Sequence, residues 1–190
     1  MSILTLVIAP DERLKTVSKP VEAVNDDIRA LASDMFDTMY YEKGIGLAAV
    51  QVGVLKRLLI ADVTWRDEDG EPGEQWVFIN PEIIPAESEP QVYKEGCLSF
   101  PDQYVDVTRP KAVRVRYQDL TGATIEKDFD GLLATCIQHE IDHLNGKVLT
   151  DYASPVKRDM ILRKLTKLKK AGVFDDHHHH GHVHGPNCSH

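Results

Sequence analysis

A helix that carries two histidines four residues apart, inside an otherwise apolar run, has few ways to be buried at tolerable cost. The segment Gln138-His139-Glu140-Ile141-Asp142-His143 contains the pattern His-Glu-x-x-His. On a helix, positions i and i+4 share one face, so both imidazoles can reach a single metal ion. Glu140 then lies near the open coordination position, where it can carry protons to and from a water. A solvated helix face holding two histidines by chance is the competing interpretation, and two features weigh against it. The lead-in Gly131-Leu132-Leu133-Ala134-Thr135-Cys136-Ile137 is almost wholly apolar, which predicts a buried helix, and every other histidine lies at or beyond His177. Two imidazoles and a carboxylate in a core are costly without a partner, and a metal ion is such a partner.

A catalytic metal site usually has three protein ligands and one open position, so a third ligand is required. Asp151, Cys97 and Cys136 are the candidates. Cys136 stands only three residues before His139, on a helix whose reach the two histidines already use. A ligand from another element is geometrically easier. That favours Cys97, in Glu95-Gly96-Cys97-Leu98-Ser99, where glycine lets the backbone approach closely. Free cysteines are as often inert core as ligands, so residue types alone leave the choice open.

The wider composition fits an acidic enzyme of modest size. The chain has 190 residues, a net charge of −8 and 42% hydrophobic residues, most simply one domain with a real core. The N-terminus lacks the charged region and long apolar run of a signal peptide, and no stretch approaches a membrane span. Three scattered cysteines make no disulfide framework, and a reducing cytoplasm is the expected location.

Hydrophobic periodicity predicts an α+β order. Asn25 caps a helix from Asp26 to about Lys43, with Ile28, Leu31, Ala32, Met35, Phe36 and Met39 at helical spacing and Gly44 as its stop. Strands are expected around Arg57–Val63, at Gln75–Asn80 and at Gln91–Lys94, with Arg66–Glu74 an acidic surface loop. A hairpin runs through Ala112–Gln118 and Ala123–Phe129, with Val113, Val115 and Tyr117 on one face. The motif helix follows from about Gly131 to Leu144, stopped at Asn145-Gly146. With no regular βαβ alternation, the expected fold is α+β, antiparallel β-sheets packed around a central helix carrying His-Glu-x-x-His, with a C-terminal helix.

Three separated segments together resemble the signature motifs of the peptide deformylase family. They are Gly44-Ile45-Gly46-Leu47-Ala48-Ala49-Val50-Gln51, Glu95-Gly96-Cys97-Leu98-Ser99, and Gln138-His139-Glu140-Ile141-Asp142-His143. The similarity covers roughly residues 3–170, and the segment after Tyr152 resembles the C-terminal helix of the type found in Gram-negative bacteria. The resemblance implies removal of formyl from the N-terminal formyl-methionine of nascent chains. It implies Cys97, His139 and His143 as ligands of one divalent metal ion, Fe²⁺ in the cell, with Zn²⁺, Ni²⁺ or Co²⁺ as substitutes. Glu140 would take a proton from the attacking water and pass it to the leaving amine. Gln51 and the backbone N–H of Leu98 would stabilise the oxyanion. By the same analogy the peptide lies along Ile45 and Gly46, and the methionine side chain enters a pocket near Gly96, Leu132, Thr135, Cys136 and His139.

Two positions depart from many relatives. Tyr104 stands where arginine often helps to bind the substrate backbone, which puts that contact in doubt. Thr135 replaces a more common aliphatic residue and is expected to tighten or polarise the methionine pocket.

Residues 1–172 read as one catalytic domain and 173–190 as a His-rich tail. Ser154-Pro155 opens a helix whose Lys157, Arg158, Arg163, Lys164, Lys167, Lys169 and Lys170 face a single Asp159. Resemblance to the Gram-negative type implies docking of helix 155–170 to ribosomal RNA near the exit tunnel, for which the basic face is suited. The other reading is a solvated face whose Val156, Met160, Ile161, Leu165 and Leu168 pack on the body. The tail, with its clustered histidines and Cys188, resembles an expression tag but is irregular. A metal-storage or metal-delivery protein using that tail is the alternative function, although it would need neither Glu140 nor Gln51.

Overall fold

The apolar lead-in and the two histidines form one continuous helix, as the periodicity predicts. In a computed structural model, which describes residues 2–65 and 72–174, this helix (α2) spans Gly131–Leu144. Ten of its residues, Ala134 to Ile141 with His143 and Leu144, are buried. Asn145 caps it and Gly146 turns the chain away at φ +74°.

Around α2 the other elements run α1 (Asp26–Tyr41), β1 (Gly46–Ala48), β2 (Leu58–Ala61), β3 (Trp76–Ile84), β4 (Pro90–Cys97), β5 (Phe100–Pro110), β6 (Ala112–Gln118), β7 (Thr124–Asp130) and α3 (Pro155–Lys170). All strand pairs are antiparallel. β1-β2-β3-β6-β7 make one sheet, and β4-β5 a separate two-stranded sheet. One core lies between the larger sheet and α2, with Phe78, Val115, Tyr117 and Phe129 against Ala134, Ile137 and Ile141. A second lies under α1, and a third joins β5 to α3 through Val105, Val107, Ile161 and Leu165. The expected α+β architecture around a motif helix is the one found.

Several expectations shift at their edges. Asn25 caps α1 by accepting from the Ile28 N–H, but the helix stops at Tyr41. The left-handed residue of the turn is Lys43, not Gly44. The strands expected at Gln75–Asn80 and Gln91–Lys94 extend to Ile84 and Cys97, whereas the one expected at Arg57–Val63 shrinks to Leu58–Ala61. β3 survives an irregularity at Asn80, whose side chain bonds the Val21 backbone at 2.8 Å both ways. β5 went unpredicted, although its residues alternate in and out along its length. Two of its inward positions are Gln103 and Arg109, which hide the apolar period. On α3, Ile161 and Leu165 are buried, but Val156 and Met160 stand exposed, so they are not part of the packing set expected there. Most of the acidic loop and the tail from residue 175 lie outside the described residues.

Phe78 is completely buried, with Tyr117 and Phe129 centroids at 4.6 and 5.4 Å. Phe78→Ala is therefore expected to cost about 3–5 kcal/mol of unfolding free energy in urea titrations, with an unchanged slope.

Candidate metal centre

The helix and the β4–β5 hairpin meet edge-on, and the three sulfur and imidazole donors sit where they meet. Cys97 ends β4, while His139 and His143 lie one turn apart on the inner face of α2 with ring centroids at 5.0 Å. One ligand atom from each of Cys97, His139 and His143 falls within 4.8 Å of the others, and Cys97 Sγ is 3.2 Å from His143 Nε2. Among the described residues this is the one such group of histidine, cysteine and acidic side chains. A thiolate with two imidazoles suits a divalent transition ion. Oε2 of Glu140 and Nδ1 of His143 are buried without a hydrogen-bond partner. An unpartnered buried carboxylate oxygen beside a thiol and two imidazoles calls for a water or ion there, so the residues fit a metal centre.

Cys136 and Asp151, the other candidate ligands, point elsewhere. Cys136 Sγ lies 3.4 Å from the Ile45 carbonyl, and burial keeps its thiol well above the ordinary range. Asp151 accepts from the Val148 N–H at 2.9 Å in a local turn.

Glu95 orients the first histidine. His139 Nδ1 bonds Glu95 Oε2 at 2.8 Å, which leaves Nε2 for an ion. Arg109 grips the same carboxylate in a fork, at 2.6 and 3.0 Å, and reaches Asp142 at 2.8 Å. Tyr152 donates to Asp142 at 2.5 Å and places its ring under the guanidinium. Burial would raise Glu95, but the bonds from His139 and Arg109 outweigh it and hold the carboxyl below its usual range. Burial and the nearby His139 and Arg109 charges hold His143 well below the ordinary imidazole value. Burial pushes Glu140 up to about 7.

Gln51 is buried beside the donors. Its Oε1 accepts from the Ala48 N–H at 2.8 Å, and its Nε2 donates toward Ser99 Oγ at 3.2 Å and Cys97 Sγ at 3.5 Å. The first motif thus folds as β1 running into a 3-10 turn, Ala49–Val52, that presents Gln51 to the second motif. Gly46 is where the first motif meets the third. A Cβ there would collide with Cys136 Sγ and stand 2.8 Å from Glu140 Oε1, so only glycine fits.

A cleft of about 470 Å³ opens from these residues. Ile45, Gly46, Gly96, Leu98, Leu132, Thr135, Cys136, His139 and Glu140 all line it, as does Tyr104. The structure therefore brings together every residue expected at the site, with Gln51 buried just behind. Tyr104 is half exposed, and Lys94 Nζ sits 5.3 Å from its ring centre. The Thr135 hydroxyl bonds the Gly131 carbonyl and Gln91 Nε2, both at 3.2 Å, so its polar atom is engaged within the fold. Sequence reasoning gave no role to Arg109, Asp142, Tyr152 or Ser99. The one available signal was the arginine at the inward position after Val105 and Val107.

Comparison with known proteins places this geometry. A family model described as polypeptide deformylase matches residues 3–159. A peptide deformylase of Rhodopseudomonas palustris (strain TIE-1) is 51% identical over 173 residues, covering 91% of this chain and 98% of the relative. A crystal structure of a peptide deformylase from Legionella pneumophila superposes with a TM-score of 0.81 at 44% identity, over 90% of this chain and 98% of that one. The Ehrlichia chaffeensis peptide deformylase in complex with actinonin gives 0.83 at 44%, over 90% and 99%.

Glu95→Gln keeps the shape of this network but removes the charge facing His139 and Arg109. It is expected to weaken divalent-ion affinity by roughly 10–100-fold in a chelator competition, whereas unchanged affinity would remove Glu95 from the metal centre.

Proposed function

The chain belongs to the polypeptide deformylase family, and from that premise we propose how its residues divide the work of removing formyl from the N-terminal formyl-methionine of nascent polypeptides. The protein is a metal-dependent amide hydrolase that releases formate. The observation that carries the assignment of roles is the meeting of Cys97, His139 and His143 beside Glu140, in a cleft floored by Gly46.

Cys97, His139 and His143 would hold the ion, which we take to be Fe²⁺, with Zn²⁺, Ni²⁺ or Co²⁺ able to replace it. When bound, the ion supplies a Lewis acid that makes water a nucleophile near neutral pH. Glu140 accepts the proton from that water and hands it to the departing amine. The Gln51 amide and the Leu98 N–H donate to the formyl oxygen as the carbon becomes tetrahedral. Ile45 and Gly46 offer backbone to the peptide. Gly96, Leu132, Thr135 and Cys136 enclose the methionine side chain. We assign residues 1–172 to one catalytic domain and the His-rich remainder to a tail outside the chemistry. We place the enzyme in the cytoplasm, where its substrate is made. Among the described residues no helix is long and apolar enough to cross a membrane.

Anaerobic formate release from formyl-Met-Ala-Ser tests this reading. Fe²⁺- or Ni²⁺-loaded protein is expected to turn over. Glu140→Ala is expected to lose at least about 100-fold in kcat while retaining its metal. Loaded, folded protein that releases no formate would end the reading.

We also propose that α3 docks on ribosomal RNA. Lys157, Arg158, Arg163, Lys164, Lys167, Lys169 and Lys170 are exposed, and Val156 and Met160 are free of the body. Replacing Lys157, Arg158, Lys164 and Lys167 with glutamine is expected to weaken sedimentation with ribosomes about tenfold at moderate salt, with a shallower salt dependence. Unchanged binding would assign α3 to stability alone.

A further inference from the structure

We propose that Trp65, which lies outside all three motifs, is a positioning residue for the peptide. Its indole N–H holds the Gly44 carbonyl and so sets the backbone of Ile45 and Gly46 along which substrate lies. The proposal rests on the deformylase reading above.

Gly44 lies two residues ahead of β1, beyond the reach of regular sheet pairing. β1 pairs with β2 from Gly46 opposite Ala61, and one further backbone bond joins the Asp62 N–H to the Ile45 carbonyl at 2.9 Å. There β2 ends and the chain turns sharply. The buried Asp62 carboxylate makes the turn by accepting from the N–H groups of Thr64 and Trp65, both at 3.0 Å, and of Gly73 at 2.8 Å. Tyr40, near the end of α1, donates to the same carboxylate at 2.7 Å. The turn folds the indole back over the start of β1. Trp65 Nε1 donates to the Gly44 carbonyl at 2.7 Å, and its ring stands edge-on to Tyr40 with centroids 5.2 Å apart. A side chain supplies the bond that β2, having ended, cannot.

The opposite side of Gly44 faces the Leu98 side chain. A Cβ there would stand 2.7 Å from Leu98 Cδ1. Gly44 is thus held between the indole and the residue whose N–H is assigned to the formyl oxygen. With the Gly44 carbonyl held by the Trp65 indole and the Ile45 carbonyl by the Asp62 N–H, the segment is fixed by two residues that do not line the cleft. Loss of the indole bond frees the segment that meets the peptide beyond methionine, without touching the metal ligands or Glu140.

Trp65→Phe keeps an aromatic ring beside Tyr40 and removes only the N–H. Steady-state kinetics with formyl-Met-Ala-Ser and with formyl-methionine amide separate the possibilities. The expected result is a KM for the tripeptide raised roughly three- to tenfold, the net worth of one hydrogen bond, with kcat within about twofold. KM for the amide, which has no backbone beyond methionine, is expected to be unchanged. An unaltered tripeptide KM, or equal losses on both substrates, would overturn the proposal and leave Trp65 a packing residue. Failure of the wild-type, metal-loaded enzyme on both substrates would instead strike the deformylase reading. If Trp65→Phe does not fold, fluorescence decides. The chain has two tryptophans, so Trp76→Phe isolates Trp65. Saturating formyl-Met-Ala-Ser is expected to shift its emission, and an unmoved spectrum would overturn the proposal.

Discussion

The buried carboxylate of Glu95 joins the two parts of the molecule that the chemistry requires. It is bonded on one side by Arg109, from β5, and on the other by His139, from α2. A carboxylate, a guanidinium and an imidazole in a core would be a liability if any one were left alone. Here each is engaged, and Arg109 passes its remaining capacity to Asp142 on the same helix. The hairpin that carries Cys97 is thereby fixed against the helix that carries the histidines. The thiol and the imidazoles otherwise belong to separate elements, β4 and α2.

The same economy of space governs the cleft. β1 approaches α2 so closely that Gly46 has room for no side chain beside Cys136 and Glu140. This close approach sets the Gly46 backbone next to the Glu140 carboxylate at the wall of the cleft. Water is limited by the same packing, since Gln51, Glu140 and His143 are all buried. Donors held rigidly in such a place act on developing charge with little reorganisation. Gln51 illustrates the point: its amide is oriented by Ala48, Ser99 and Cys97 together.

Much of this was legible in the chain. α2 was legible at both ends, because its apolar run is opened by Gly131 and stopped at Asn145-Gly146. The β6–β7 hairpin was equally plain from Val113, Val115 and Tyr117. β5 was not, since Gln103 and Arg109 occupy inward positions and break the apolar alternation. The burial of Arg109 depends on Glu95 and Asp142, 14 and 33 residues away, which no local window contains. The end of α1 was misplaced for a related reason: Gly44 looks like a helix stop, but the left-handed residue of the turn is Lys43.

Sequence alone determined the spacing of His139 and His143 on one helical face, the glutamate between them, and the three motifs that mark the family, because these are local or depend on order along the chain. It left open which of Cys97, Cys136 and Asp151 completes the donor set until the resemblance was drawn. Tertiary structure turns Cys136 toward Ile45, engages Asp151 in its own turn and ends β4 at the imidazoles, so that Cys97 is the candidate grouped with His139 and His143. It alone decided that Glu95 and Arg109 belong to the site, and that Trp65 reaches Gly44. Such contacts join residues far apart in sequence. They exist only once packing has brought the strands and helices together and made unpaired polar groups too costly to leave.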